Sequence, residues 1–138
     1  MSAAPEPIRT LVVVPTYNER DDAPRLVAAL DALRLDADVL FIDDASPDGT
    51  GALLEELRAT HSRLHVRHRS GKLGIGSAHL DGIAWAYEQG YQRLVTFNGR
   101  MFDCPFLMLR SAILGVRPSR NLMGNRYSKD MVDLLEQL

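Results

Sequence analysis

Two adjacent carboxylates, Asp43 and Asp44, close the apolar run Val39-Leu40-Phe41-Ile42 and lead into Ala45-Ser46-Pro47-Asp48-Gly49-Thr50. The run is continuous rather than alternating, so it reads as a strand buried on both faces. The residues after it are turn-formers: Pro presets φ, Gly permits positive φ, and Asp and Ser bond local backbone. Thr50 is placed to N-cap a helix over residues 52–60, where Leu53, Leu54 and Leu57 recur at helical spacing. Two acids therefore stand at the carboxyl end of a buried strand, on a loop that opens a helix. Open α/β sheets bind ligands there.

The same residues fit a second chemistry. Asp44, Ser46, Asp48, Gly49 and Glu55 occupy the first, third, fifth, sixth and twelfth places of a calcium-binding loop. That loop needs a helix before it, whereas here a strand precedes it, and no second copy exists. Calcium is set aside. A turn carrying solvated acids is the plain alternative to a ligand site.

The elements that must position these acids alternate along the chain. A β-branched strand over residues 10–14 ends at Pro15. Asp22 as N-cap and Pro24 in the first turn begin a helix to about residue 33, with Leu26, Val27, Leu30 and Leu33 on one face. Strand 39–42 and helix 52–60 follow, then a short strand over residues 64–67. Beyond it lies a basic, glycine-rich loop, His68-Arg69-Ser70-Gly71-Lys72-Leu73-Gly74-Ile75-Gly76. A helix is expected over residues 77–89, with Gly90 at its C′ position. A strand over 94–97, a helix over 105–114, a short strand over 121–124 and a closing helix from residue 128 complete the pattern. Alternation of this kind predicts right-handed βαβ units and a mostly parallel sheet flanked by helices.

Composition narrows the class. The 138 residues are 46% hydrophobic and 25% charged, as in a soluble globular domain. They suit a disordered tail over residues 1–8 and a single domain over 9–138. A net charge of -2 gives no electrostatic argument for nucleic acid. The single cysteine, Cys104, fits a reducing compartment. No secretory h-region opens the chain and no apolar run is long enough to span a membrane, so a cytoplasmic location is expected.

Two common nucleotide motifs fail. Gly74-Ile75-Gly76 begins like the dinucleotide fingerprint, but His79 stands where its third glycine is due, and the stretch follows the third strand rather than the first. Lys72 does not close a P-loop pattern either.

The first strand instead runs into Pro15-Thr16-Tyr17-Asn18-Glu19. Taken with Ile42-Asp43-Asp44-Ala45-Ser46-Pro47-Asp48-Gly49-Thr50 and Lys72-Leu73-Gly74-Ile75-Gly76, this resembles the family 2 glycosyltransferases. Within them it is most similar to the dolichol- or polyprenol-phosphate mannosyltransferases. The likeness covers about residues 10–127. It implies the GT-A, Rossmann-like fold of nucleotide-diphospho-sugar transferases, a GDP- or UDP-linked sugar donor such as GDP-mannose, and a polyprenyl-phosphate acceptor at a membrane surface. It assigns Pro15, Tyr17, Glu19, Ile42 and Asp44 to the nucleoside. A base wants a flat apolar wall, here Pro15 and Tyr17, and hydrogen-bond acceptors, here Glu19 and Asp44. Lys72 and Arg69 are placed to face the diphosphate, with a merely solvated basic loop as the alternative.

The resemblance breaks where the family holds Mg²⁺ or Mn²⁺. In place of its Asp-Ala-Asp motif this chain reads Asn98-Gly99-Arg100, and Met101-Phe102-Asp103-Cys104 replaces its usual Ser-His pair. A neutral amide and a fixed cation are poor ligands for a hard ion, so no metal cofactor is expected. Asn98, Gly99 and Arg100 are expected at the diphosphate and sugar instead. Arg126, in Met123-Gly124-Asn125-Arg126-Tyr127, matches a family arginine and is expected beside them. The family's catalytic domain then continues, whereas here residues 131–138 make one amphipathic helix, so a shortened form of the fold is expected. No general base for the acceptor can be named, and a relative that binds nucleotide without turnover, or a protein-interaction scaffold, is the alternative.

Overall fold

The computed structural model describes residues 7–95 and Gly115. The chain divides into two compact units, Met1–Leu94 and Val95–Leu138. The first carries β1 (Thr10–Thr16), α1 (Ala23–Ala32), β2 (Asp38–Asp43), α2 (Thr50–Thr60), β3 (Leu64–His68) and α3 (Ile75–Glu88), and β4 spans Arg93–Val95. The elements expected beyond residue 96 lie outside the described residues, as do Asn98, Gly99, Arg100 and Arg126.

The strands lie in the order β3-β2-β1-β4. β1, β2 and β3 run parallel, with Val13 beside Leu40 and Phe41 beside Val66. Side-chain alternation splits the central strands between two cores. Leu11, Val13, Leu40 and Ile42 pack with Ala78 and Ala86 of α3, whereas Phe41 packs with Ala23, Val27 and Leu54 of α1 and α2. The sheet is therefore covered on both faces, as parallel sheets must be. The expected α/β arrangement is met over these elements.

Several boundaries differ from the sequence reading. β1 does not stop at Pro15 but continues through it to Thr16. The carbonyl of Thr16 accepts from Asp44 N–H, so Pro15, one residue back, turns its missing donor away from β2. Thr50 does not cap α2. It is the first helical residue, fully buried, behind a left-handed Gly49, because its hydroxyl is drawn to Asp48. α3 starts at Ile75, two residues before the expected start. Asp22 precedes α1 as expected, but its carboxylate pairs with Arg25 at 3.3 Å instead of capping the helix. On α1, Val27 is buried while Leu26 and Leu33 are exposed, since the contact with the sheet runs through Ala23 and Val27.

At the amino ends of the strands, Tyr91 donates to Asp38 at 2.5 Å and stacks on Trp85, with the Arg9 guanidinium 4.2 Å above its ring. Burial, followed by the neighbouring Asp38 carboxylate, pushes the Tyr91 phenol up to about 12.

α3 approaches the sheet at Gly82. A Cβ there would stand 2.8 Å from Val13 Cγ1 and 2.9 Å from Ile42 Cδ1, both in the buried core. Alanine at an exposed helix position is worth up to about 1 kcal/mol over glycine, but overpacking costs typically 1–3 kcal/mol. Gly82→Ala is thus expected to destabilise the protein by about 1–2 kcal/mol, read as a lower urea midpoint with an unchanged slope.

Candidate functional site

The strand order reverses between β1 and β4, and β1, β2 and β3 end at one edge with Thr16, Asp43 and His68. In open α/β sheets the crevice at such a reversal receives ligands. Three loops meet there: residues 17–22, 44–49 and 69–74.

The first two loops are laced together. Three successive backbone N–H groups of the first loop donate to side chains of the second loop and of the first residue of α2: Asn18 to Ser46 Oγ (3.0 Å), Glu19 to Thr50 Oγ1 (3.0 Å) and Arg20 to Asp48 Oδ2 (3.3 Å). Each acceptor is itself fixed. Ser46 donates its hydroxyl to the buried Asp43 at 2.5 Å, and Thr50 donates its own to Asp48 at 2.5 Å. Asn18 and Ala45 are held at φ of +56° and +55°. Alanine in that region costs roughly 1–2 kcal/mol, so the anchored carboxylates on either side must sustain it. The Thr50 hydroxyl, helped by the backbone N–H groups of Thr50 and Arg20, holds the Asp48 carboxyl below its ordinary value.

Asp44 fastens the third loop. Its Oδ1 accepts from Arg69 at 2.7 Å, with both side chains 7% exposed. Its Oδ2 accepts from the N–H groups of Leu73 (3.1 Å) and Gly74 (2.9 Å). Gly74, at φ +93°, makes that second bond possible by turning the chain sharply into α3. Arg69 also reaches Gly74 O and the Ser77 hydroxyl.

The sequence-selected residues distribute as follows. Tyr17 is half-buried, with the Lys72 ammonium 4.2 Å from its ring centroid, so these two are brought together. Pro15 is half-buried at the end of β1, and Glu19 is exposed beside it in the loop. Ile42 is fully buried on the α3 side, which leaves only its backbone for a ligand. Asp44 is 5% exposed with three of a carboxylate's roughly four acceptor positions occupied. Arg69, expected at the diphosphate, is turned inward to Asp44.

Sequence reasoning passed over the roles of Ser46, Asp48 and Thr50 as clasps, and over His68. His68 Nε2 lies 2.8 Å from Glu55, and its Nδ1 lies 3.8 Å from Asp43. The available signal was the count of short polar side chains between Asp43 and Thr50, more than one turn consumes.

Among the described residues no three His, Cys, Asp or Glu side chains converge as metal ligands. The residues of the calcium-like spacing point to different partners: Asp44 to Arg69, Asp48 to Thr50, Glu55 to His68. Asp43 and Asp44, committed to hydrogen bonds, do not fit a divalent cation, and neither does the donor chemistry of Asn98 and Arg100.

A parallel α/β domain with its loops gathered at the strand-order reversal is the class defined here. Residues 11–97 match the model of "Glycosyl transferase family 2", and the chain belongs to that family. It is 48% identical over 91 residues to a polyprenol monophosphomannose synthase of Mycolicibacterium smegmatis, covering 65% of this chain and 34% of that protein. It is 42% identical over 119 residues to an undecaprenyl-phosphate mannosyltransferase of Micrococcus luteus, covering 86% of this chain and 49% of that one. The chain thus spans a third to a half of the length of these relatives. A solved mannosyltransferase of Pyrobaculum calidifontis, in complex with GDP-Man and Mn²⁺, is 29% identical and superposes with a TM-score of 0.46 over 56% of this chain and 24% of its own.

Two outcomes test the loop architecture. Asp44→Ala strands the buried Arg69 guanidinium and is expected to cost about 3 kcal/mol of unfolding free energy, with much of it recovered in Asp44→Ala/Arg69→Met. For Asp48, a depressed carboxyl stabilises fully above the ordinary carboxylate range, near pH 4, and the gain is lost as pH falls through the lower folded value. Urea unfolding should find wild type more stable than Asp48→Asn at neutral pH, with the gap closing in acid.

Proposed function

We propose that this chain binds a nucleotide-linked sugar and belongs to a machinery that transfers a mannose-like residue to a polyprenyl phosphate. One observation carries the reading. An aromatic face (Tyr17) with a cation (Lys72) against it stands on the loops at the carboxyl edge of the sheet of a family 2 domain, and Glu19 is exposed in the loop that carries Tyr17. The names of the relatives in Mycolicibacterium and Micrococcus support a mannose-like sugar and a polyprenyl phosphate acceptor.

In this reading the base lies on Tyr17 against Pro15, and Glu19 and Asp44 accept from its N–H groups. Lys72 faces the diphosphate. The transfer joins an acceptor phosphate oxygen to the anomeric carbon, while the bond to the nucleoside diphosphate breaks and its electron pair stays on the diphosphate oxygen. That leaving group gathers charge, so fixed cations near it favour the transition state. Arg100 stands where the family has a metal-binding acid, and its guanidinium fork suits two diphosphate oxygens at once. The lipid phosphate would be met at a membrane surface. No helix among the described residues is long and apolar enough to cross one.

A second reading is favoured by the same substitution. With Asn98 and Arg100 in place of metal-binding acids, the chain binds nucleotide without turning it over. Calorimetric titration of GDP-mannose, GDP, UDP-glucose and UDP, each with Mn²⁺ and with EDTA, tests both. The expected result is binding of one nucleotide class in EDTA, weakened at least tenfold in Arg100→Ala. Binding abolished by EDTA would remove Arg100 from the role of the metal. Binding without sugar transfer or donor hydrolysis would select the second reading.

A further inference from the structure

Lys72 is exposed, and among the described residues its ammonium takes the Tyr17 ring as partner, 4.2 Å from the centroid. The loop that carries it is tethered at both shoulders by one carboxylate. Asp44 holds Arg69 on one side of Lys72 and the N–H groups of Leu73 and Gly74 on the other. Between the tethers lies Gly71, with open space around it. The backbone is fixed while the side chain is free to swing. The backbone after Tyr17 is held as well, since the N–H groups of the next three residues are bound to Ser46, Thr50 and Asp48. The contact is thus a cation resting on a rigid aromatic face, at the place where the proposed function seats a base.

We infer that Lys72 makes this site select phosphorylated nucleotides over bare nucleosides, by covering the Tyr17 face until an anionic group draws it away. The inference rests on the nucleotide reading above and adds the residue that sets this preference. A base and the ammonium compete for one ring face. A bare nucleoside that displaces Lys72 offers the ammonium only water in return. A diphosphate offers anionic oxygens and charge-assisted hydrogen bonds, which are stronger than the contact given up. The same side chain therefore penalises one ligand and rewards the other, a repulsive and an attractive element in a single group. Cation–π contacts at exposed sites change an equilibrium constant roughly two- to five-fold, which sets the size of the penalty.

The test compares guanosine with GDP, and uridine with UDP, on wild type and Lys72→Met by calorimetry. In parallel, NMR follows the Lys72 ε-methylene protons, which the Tyr17 ring current shifts upfield. Lys72→Met is expected to bind the nucleoside about two- to five-fold more tightly than wild type and the diphosphate more weakly. The upfield shift should be present without ligand, absent in Tyr17→Leu, and lost on adding the diphosphate. A nucleoside affinity unchanged or lowered in Lys72→Met, with wild type binding the diphosphate, overturns the selectivity alone. No ring-current shift in the free protein overturns the covering contact. Failure of wild type to bind either diphosphate, with the shift present, overturns the nucleotide reading and the selectivity with it.

Discussion

A single buried carboxylate, that of Asp44, is the constraint on which the loop edge of this domain depends. A carboxylate with 5% exposure must be compensated nearly in full, and it is, by one guanidinium and two backbone N–H groups. Those partners come from a loop some thirty residues further along the chain. The need to satisfy Asp44 therefore determines where the glycine-rich loop lies, where α3 begins and where Lys72 stands. Arg69, the more buried of the two loop cations, is given over to structure. Lys72, the exposed one, is left for chemistry.

Asp43 does the equivalent work on the other side. It fixes Ser46, Ser46 takes the Asn18 N–H, and Asp48 and Thr50 hold the residues that follow. Two neighbouring acids thus pull two different loops toward the end of one strand, with a left-handed Ala45 directly after them. The geometry explains why a strand ending in two carboxylates can serve a ligand site although Asp43 is committed to Ser46 and Asp44 keeps about one acceptor position. They place the loops, and the exposed groups at this edge are supplied by the loops they hold.

Much of this was legible from residue types, because burial and period leave little choice. A continuous apolar run such as residues 39–42 has to lie inside a sheet, and alternation with helices makes that sheet parallel. The breaks in legibility are just as physical. Pro15 reads as a stop, yet the strand passes through it because the missing donor faces away from β2. Thr50 reads as a cap, yet its hydroxyl is claimed by Asp48. Arg69 and Lys72 look equivalent in a basic loop, and only the position of Asp44 in space separates a buried ion pair from an exposed cation. Long-range polar pairing has no period, so no local pattern announces it.

β3 is one of the two outer strands of the described sheet, and its residues are Leu64, His65, Val66, Arg67 and His68. An outer strand offers unpaired backbone groups to any second chain, a common route to aggregation. Here three of the five side chains are basic or ionisable, and Arg67 is pinned to Asp81 of α3 at 3.0 Å. Polar and charged side chains along an outer strand are among the devices that blunt such pairing. β3 is thus furnished to resist chain-to-chain pairing while the loop that follows it carries Lys72.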